Sequence, residues 1–587
     1  MALTGSAGVA AAAPGHSGHG RTVASIWAVN DGEKVDRDDL ANSNERRNSA
    51  WNGRDIAIFG ARNEIVSFQV VVESGSAGIE KLTAALPELR RGRHVITSRP
   101  PAEDPTQYAG RDIQAFSEGY LDVTKRTNAD WIVPPGSPSE PADPLGPTPV
   151  QLIPSTAKAG LGGFPLTVAP RSNQAFWFDV YVPKDARAGT YRGTVTVRAD
   201  RVVKRLPISL RVYDVTLPDE NSLTAMIYYE PSQVERYQGR NLDPAFHRFA
   251  HRNRVEFVHA YDIPTASAAL GRFRGADFTP ANGYDGPGVG VGNTLVPRTF
   301  YGPGADFDTP EEAAANARPW TDWLGANLPD AETFVYMPDE PSPDQFPYIR
   351  SIGEAVHSSG APLPVFVSHT YDAELDGPNK AIDLWGTVGD LYSSPVAAAL
   401  RAEGRDMHPY NGQRPQLGSA LIDSPATDPR ATIWAAFKHG ITRYFYWHAN
   451  HWRHNGQANP AWERDQNVWA EPITFFNRRG FFANGDGVLV YPGEEVLHPA
   501  QDRGVPGPIG TIQLANYRRG LQDHQYLTMA RAAGLSREVE KALATIVPRV
   551  LDDTALDQPV SYPEHGDPYE RVRRDLLRSL EQAHSTR

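Results

Sequence analysis

The stretch whose residues could most plainly do chemistry is Val335-Tyr-Met-Pro-Asp339-Glu340-Pro341, an apolar run that halts at two adjacent carboxylates bracketed by prolines. Hydrolysis of a glycosidic bond commonly employs two carboxyl groups. One protonates the leaving oxygen and the other acts on the anomeric carbon from the opposite face. Sequence neighbours do not easily straddle a sugar ring. An adjacent pair suits a substrate-assisted retaining reaction, in which the sugar's own 2-acetamido oxygen attacks. Glu340 would then protonate the leaving group and later activate water, while Asp339 orients and polarises the acetamido N–H as positive charge develops. Two carboxylates in contact also raise the proton affinity of one of them, which keeps the acid protonated near neutral pH. Taken alone, Asp-Glu-Pro reads more simply as a turn or helix start, because Asp caps helices and Pro favours the first turn.

Polar and aromatic residues gather at the ends of later apolar runs: His369, Trp385, Tyr392, Asp423, and then Tyr446-Trp447-His448-Ala-Asn450-His451-Trp452. Aromatic platforms flanked by Asn, Asp and His are the expected lining of a carbohydrate pocket, although each aromatic has a core-packing reading as well. The candidate substrate-binding set is His369, Trp385, Tyr392, Asp423, Tyr446, Trp447, Asn450 and His451. His448, His451 and His454 stand three apart, which fails the four-residue spacing and intervening Glu of a zinc helix. His247 and His251 have that spacing, but Arg248 occupies the Glu position, so they read as a solvated helix face. No metal and no organic cofactor is expected. The Gly286–Asn293 run lacks the Lys-Ser/Thr of a phosphate loop and reads as a flexible surface loop, and no Gly-x-Ser-x-Gly elbow occurs.

The elements that must carry these residues fall into three regions. Residues 23–220 are rich in strands with period-two alternation, as in Thr190–Arg198, where Tyr191, Val195 and Val197 face one way and the Thr and Arg residues the other; this predicts a β-sandwich. From 221 to 530, short apolar runs alternate with helical stretches. The runs are Thr224–Tyr229, Val255–Ala260, Thr333–Met337, Leu363–Ser368, Ile382–Trp385, Leu417–Ile422, Arg443–Trp447 and Gly487–Tyr491. Strands buried on both faces, with functional groups at their C-terminal ends, predict a (β/α)8 barrel of the TIM type. Helices are expected at Pro310–Asn327, Pro343–Ser358 and Asp428–His439, and residues 531–587 as a C-terminal helical extension.

Composition narrows the function. The 587 residues are 40% hydrophobic and 22% charged, a folded-protein balance. A formal net charge of -12 gives no electrostatic reason to expect nucleic acid. Cysteine is absent, which excludes thiol nucleophiles, iron–sulfur sites and disulfide scaffolds and fits an exported bacterial protein. Residues 1–22 read as a disordered leader or export-signal remnant, giving an extracellular expectation. No apolar run is long enough to predict a membrane span.

Five stretches together resemble glycoside hydrolase family 123, the β-N-acetylgalactosaminidases, and the broader group that shares its barrel. They are Val182–Val195, Met337–Glu340, Arg430 through His448, Gly485–Gly493 and Gly510–Tyr526, in the family's order. The resemblance implies a β-sandwich joined to a (β/α)8 barrel and an adjacent Asp-Glu catalytic pair, here Asp339 and Glu340. It also implies pocket roles for Trp385, Tyr446 and Trp447, and the leading reading is a secreted exo-acting retaining β-N-acetylgalactosaminidase acting on glycans or glycolipids. Two departures, Gln525 in place of Glu and His448 in place of Gly, bear on the pocket wall. The competing readings are a glycosidase for a sugar lacking the acetamido group, with a remote carboxylate such as Asp423, and a non-catalytic carbohydrate-binding protein.

Overall fold

The computed structural model describes residues 21–98, 105–454, 463–551 and 555–585, so the expected leader falls almost wholly outside them. The protein is mixed α/β. In its N-terminal part an antiparallel five-stranded sheet runs in the order Val23–Asn30, Glu64–Ser74, Asn173–Val182, Ile113–Val123, Gly146–Pro154. A second sheet is built on Ile56–Arg62, Val202–Thr216, Gly189–Ala199, Ile79–Ala85 and Leu166–Val168. Phe68, Val70, Phe176 and Phe178 of the first sheet share one apolar core with Ile58, Val195, Val197 and Leu210 of the second. The alternation read in Gly189–Ala199 is real, with Tyr191, Val195 and Val197 buried and Arg192 and Arg198 exposed. Asn173–Val182, by contrast, is buried at every position. Its second face is covered too, since Trp177 packs against Ile512 and Ala515.

Seven parallel strands follow: β1 (Thr224–Tyr228), β2 (Glu256–Val258), β3 (Val335–Tyr336), β4 (Val365–Val367), β5 (Leu384–Thr387), β6 (Asp406–Pro409) and β7 (Arg443–Tyr446). They form a three-stranded sheet, β2-β1-β7, and a four-stranded half-barrel, β3-β4-β5-β6. Their side chains alternate between two layers. Met226, Val258, Phe334, Tyr336, Phe366, Tyr410 and Phe445 make one cluster. Ile227, Val335, Val365, Trp385, Tyr444 and Tyr446 point into the other, larger core packed by the helices.

Two expected strands are corrected. Leu417–Ile422 is irregular, with Gly418 pressed against the backbone of Asp428, where a Cβ would come within 1.9 Å of a carbonyl oxygen. Gly487–Tyr491 contributes only to the strand Val490–Pro492, which pairs antiparallel with Pro508–Gly510. The strand present instead, β6, has Asp, His and Pro in its sequence and gives no apolar signal. The Gly286–Asn293 run is also packed rather than free: Gly286 and Gly288 are buried, and Gly288 O lies 2.8 Å from His251 Nε2.

The principal helices here are α1 (Asp243–Arg252), α2 (Pro310–Asn327), α3 (Phe346–Ser358), α4 (Asp428–Lys438), α5 (Ile512–Ala532), α6 (Ser536–Ile546) and α7 (Gly566–Ser585). Thr309 and Glu312 close a reciprocal capping box on α2, and Pro310 sits where its missing N–H costs nothing. Helix α5 is buried from Ile512 to Tyr526 although it contains Arg518, Arg519 and Asp523. Gly520 allows this, because a Cβ there would stand 2.9 Å from Ile433 Cβ and 3.2 Å from Arg430 Cα of α4.

The buried charges of α5 are answered across the molecule. Arg519 meets Asp31 at 2.6 Å, Glu64 at 3.0 Å and Glu570 at 2.9 Å. Arg573 of α7 meets Glu64 at 2.7 Å and Glu570 at 2.7 Å, and Arg430 of α4 meets Asp523 at 2.6 Å. Arg518 holds Asp179 of the five-stranded sheet at 2.8 Å. Removing one partner of such a network leaves an uncompensated buried charge, at a cost of about 3–5 kcal/mol. Arg519→Ala is therefore expected to lower the unfolding free energy by about that amount, read from the chemical denaturation midpoint. Arg54→Ala, at an exposed pair with Asp55, should change it by less than about 0.5 kcal/mol.

Candidate active site

Asp339 and Glu340 follow β3 and are both exposed. Glu340 takes a left-handed conformation, φ 43°, which L-residues adopt at a cost of about 1–2 kcal/mol. Ser368, just past β4, holds that turn. Its Oγ accepts from Glu340 N at 2.9 Å and donates to Asp339 Oδ1 at 2.6 Å, which uses its one donor and leaves one acceptor. Tyr336 OH also donates to Asp339 Oδ1, at 2.8 Å. Glu340 has a different partner, the hydroxyl of Tyr410, which donates to Oε1. Although the residue keeps open surface, partial desolvation of the Glu340 carboxyl among its neighbours pushes its pKa up; the Tyr410 donor opposes this, the Asp339 charge adds to it and nearby His369 opposes it. The two carboxylates thus sit in distinct surroundings: one is fixed by two hydroxyls and the other is biased toward carrying a proton.

An aromatic wall adjoins the pair. Tyr228 stacks on Phe300 at 4.8 Å and meets Tyr301 edge-on at 4.8 Å, and His448 stands edge-on to Tyr228 at 5.0 Å. Tyr301 packs on Tyr336 at 5.3 Å and donates to Trp447 O at 2.6 Å. Trp447, half-buried, is held by its N–H to Asn411 Oδ1 at 2.9 Å and by Nε1 to Asp486 Oδ1 at 2.9 Å. Burial raises Asp486 to about 6 despite hydrogen bonds from Trp447 and Tyr446.

Of the residues singled out in the sequence, Asp339, Glu340 and His369 meet at this strand end, and Trp447 joins the adjoining wall. The other candidates are corrected. Trp385 is fully buried in the helix-facing core, and Tyr392 is buried against His439 at 5.9 Å. Tyr446 points away from the Tyr336 layer and donates to Asp486. Asn450 is fully buried, receiving Glu230 N at 3.0 Å and returning a bond to Glu230 O. His451 is buried beside Trp447 at 4.9 Å. Asp423 accepts from Thr127 N at 2.7 Å and Asn484 Nδ2 at 2.9 Å, tying two loops together. Gln525 is no pocket residue: it donates to Glu220 O at 2.6 Å. Sequence reasoning missed Tyr336, Ser368, Tyr410, Tyr301 and Asn411. Tyr336 and Ser368 stand in or at the end of expected strands, whereas Tyr410 and Asn411 follow the strand whose sequence gave no signal.

Residues 332–530 match the family model for the glycoside hydrolase 123 catalytic domain, a range that takes in the carboxylate pair, Trp447 and His448 of the aromatic wall and most of α5, while Tyr228, Phe300 and Tyr301 precede it. The match supports a glycoside hydrolase, and the region from β3 through most of α5 resembles the family 123 catalytic domain. Among solved structures, a family 123 glycoside hydrolase from Clostridium perfringens, described for glycolipid glycan hydrolysis, is similar with TM-score 0.62 and 13% identity, over 96% of this chain and 100% of that one. A putative β-galactosidase from Bacteroides fragilis gives TM-score 0.21 and 11% identity over 71% of this chain and 54% of that one. No curated protein sequence matches.

Glu230, two residues past β1, supports the wall from behind. Burial acts to raise its pKa but is outweighed by the His448 imidazole 3.7 Å away and by hydrogen bonds from Gln233 and Ser232, which leave it at about 2. A depressed carboxylate pKa contributes stability that is present above the unfolded value and lost as pH falls through the folded one. The difference in melting temperature between the wild type and Glu230→Gln is thus expected to be widest above pH about 5 and to shrink as pH falls toward about 2.

Proposed function

We propose that this protein is a secreted retaining exo-β-N-acetylgalactosaminidase working by substrate assistance, with Glu340 as acid and then base and Asp339 as the acetamido-orienting carboxylate. The observation that carries the proposal is the split environment of the pair. Asp339 Oδ1 is fixed by Tyr336 and Ser368, which leaves Oδ2 free for a substrate N–H. Glu340, its pKa raised, can deliver a proton to a leaving oxygen. Trp447, Tyr301 and Tyr228 offer apolar faces to a sugar ring.

The chain organisation accords with this reading. Residues 23–220 are read as a β-sandwich domain, 221–530 as a (β/α)8 domain and 531–587 as a helical extension. Support for a complete barrel comes from the segment around Leu295, which bridges in parallel to Glu332 before β3, and from Tyr261 N, which donates to Pro297 O at 2.9 Å beyond β2. Tyr410 bridges in parallel to Phe445 between β6 and β7. Eight segments would then close in chain order, with the Asp-Glu pair at their C-terminal end, where such barrels carry their sites. Export is read from the leader and the absence of cysteine. Among the described residues no helix is long and apolar enough to cross a membrane. The alternative with Asp423 as remote carboxylate loses ground, because that side chain is already engaged by Thr127 and Asn484.

Aryl β-N-acetylgalactosaminide, β-N-acetylglucosaminide and β-galactoside test the reading together. Turnover is expected on the galactosaminide, with kcat lower by about 10²–10⁴-fold in Glu340→Gln. Turnover on the acetamido-free galactoside alone would overturn substrate assistance. In the wild type the alkaline limb of the kcat/KM profile reports loss of the Glu340 proton. Tyr410→Phe removes a donor that stabilises the carboxylate, so that limb is expected to move to higher pH.

A further inference from the structure

Beside the strand ends that carry the aromatic wall, a second cluster of side chains has the composition of a metal site. Asp243 and His247 stand one turn apart on α1, and His259 follows β2. One ligand-capable atom from each lies within 4.8 Å of those from the other two. His247 is 2% exposed, and neither ring nitrogen has a hydrogen-bond partner; Nε2 stands 3.3 Å from Asp243 Oδ1. An imidazole buried with Nδ1 unpartnered and Nε2 facing only the Asp243 carboxylate at 3.3 Å is costly unless something else takes a lone pair. We propose that Asp243, His247 and His259 bind a single zinc-class divalent ion, which pins α1 to the end of β2.

The surroundings are arranged as metal ligands require. His259 Nδ1 faces Ala260 O at 2.9 Å, so Nε2 is the atom it can offer, and a carbonyl behind a ligating imidazole fixes its tautomer and orientation. Arg272 donates to Asp243 Oδ2 and, at 2.8 Å, to Tyr261 OH, which turns Oδ1 toward His247. His259 and Asp243 are only partly buried, which gives an entry path.

The donor set also selects among ions. Two imidazoles and one carboxylate oxygen suit zinc and its neighbours, whereas calcium and magnesium take six or more oxygens. The nearby Arg272 charge disfavours an ion held mainly by electrostatics. Ligand atoms around a tetrahedral zinc stand about 3.3 Å apart at ordinary bond lengths. Binding therefore draws the two outer side chains inward over the buried one, with water as the fourth ligand. The consequence is mechanical. Tyr229, the residue after β1, stands edge-on to His247 at 5.5 Å, and its neighbour Tyr228 is the ring on which His448 packs. An ion here would stiffen the base of the aromatic wall.

The test is zinc titration of the metal-stripped full chain by calorimetry, beside calcium, with melting temperature as a second readout. One equivalent of zinc is expected to bind with micromolar or tighter affinity and raise the melting temperature, with no response to calcium. His259→Gln, at a partly exposed position that leaves the core intact, is expected to weaken zinc at least tenfold without lowering the melting temperature of the stripped protein. His454→Gln, in the other histidine cluster, should leave binding unchanged. Absence of zinc binding at 100 µM, or binding that survives His259→Gln and fails in His454→Gln, would overturn the proposal.

Discussion

The structure depends on a buried set of charges that joins parts of the chain far apart in sequence. Arg519 and Arg573 converge on Glu64 and Glu570, Arg430 on Asp523 and Glu570, and Arg519 also on Asp31. Three guanidiniums face four carboxyl groups. Burial pushes the pKa of Asp31 up against the pull of Arg519, the direction that brings the count toward balance. Such networks add little net stability compared with apolar packing, yet they penalise every arrangement in which a partner is missing. Here the partners lie on a sheet strand, on α4, α5 and α7, and just after the first strand. The sheets, the parallel strands and the terminal helices can therefore dock in one way only without stranding a charge.

That docking fixes the backs of α4 and α5, and through them β7, whose end leads into Trp447. The remaining order at the site is local. A single serine hydroxyl supports the left-handed turn at Glu340 and one oxygen of Asp339, and two tyrosines, Tyr336 of β3 and Tyr410 just past β6 at the opposite edge of the same sheet, hand one hydrogen bond to each carboxylate. Because Tyr336 and Tyr410 lie in the same aromatic layer as Phe366 and Phe445, core packing also sets the geometry of the hydroxyls. The strain at Glu340 is held by this over-determined frame.

The candidate carboxylate pair stands out in the sequence because prolines on both sides of two acids at the end of an apolar run form an unusual local pattern. Helix α2 was legible to the residue, since Thr309, Pro310 and Glu312 spell its start. The strand β6 was not, because Asp406, His408 and Pro409 carry no apolar alternation; His408 is nevertheless buried, stacked on Phe366 at 5.5 Å. With β6 went Tyr410 and Asn411. Trp385, Tyr392 and Tyr446 were misplaced for the opposite reason: an aromatic near a strand end has the same letter whether it faces a pocket or the helical core, and only the strand's register separates the two. The polar positions of α5 also mislead, since Arg518, Arg519 and Asp523 look solvated in sequence and are answered by residues from about 50 to nearly 500 positions away.

The central claim is that Asp339 and Glu340 act on a sugar whose own acetamido oxygen is the nucleophile. The most direct measurement is inhibition by a thiazoline mimic of the cyclised acetamido intermediate, compared with the parent N-acetylgalactosamine, in the wild type and in Asp339→Asn. The account predicts that the wild type binds the thiazoline at least tenfold more tightly than the sugar, as expected for an intermediate mimic, and that Asp339→Asn loses most of this preference. Equal affinity for the two compounds in the wild type, or a preference untouched by Asp339→Asn, would contradict it.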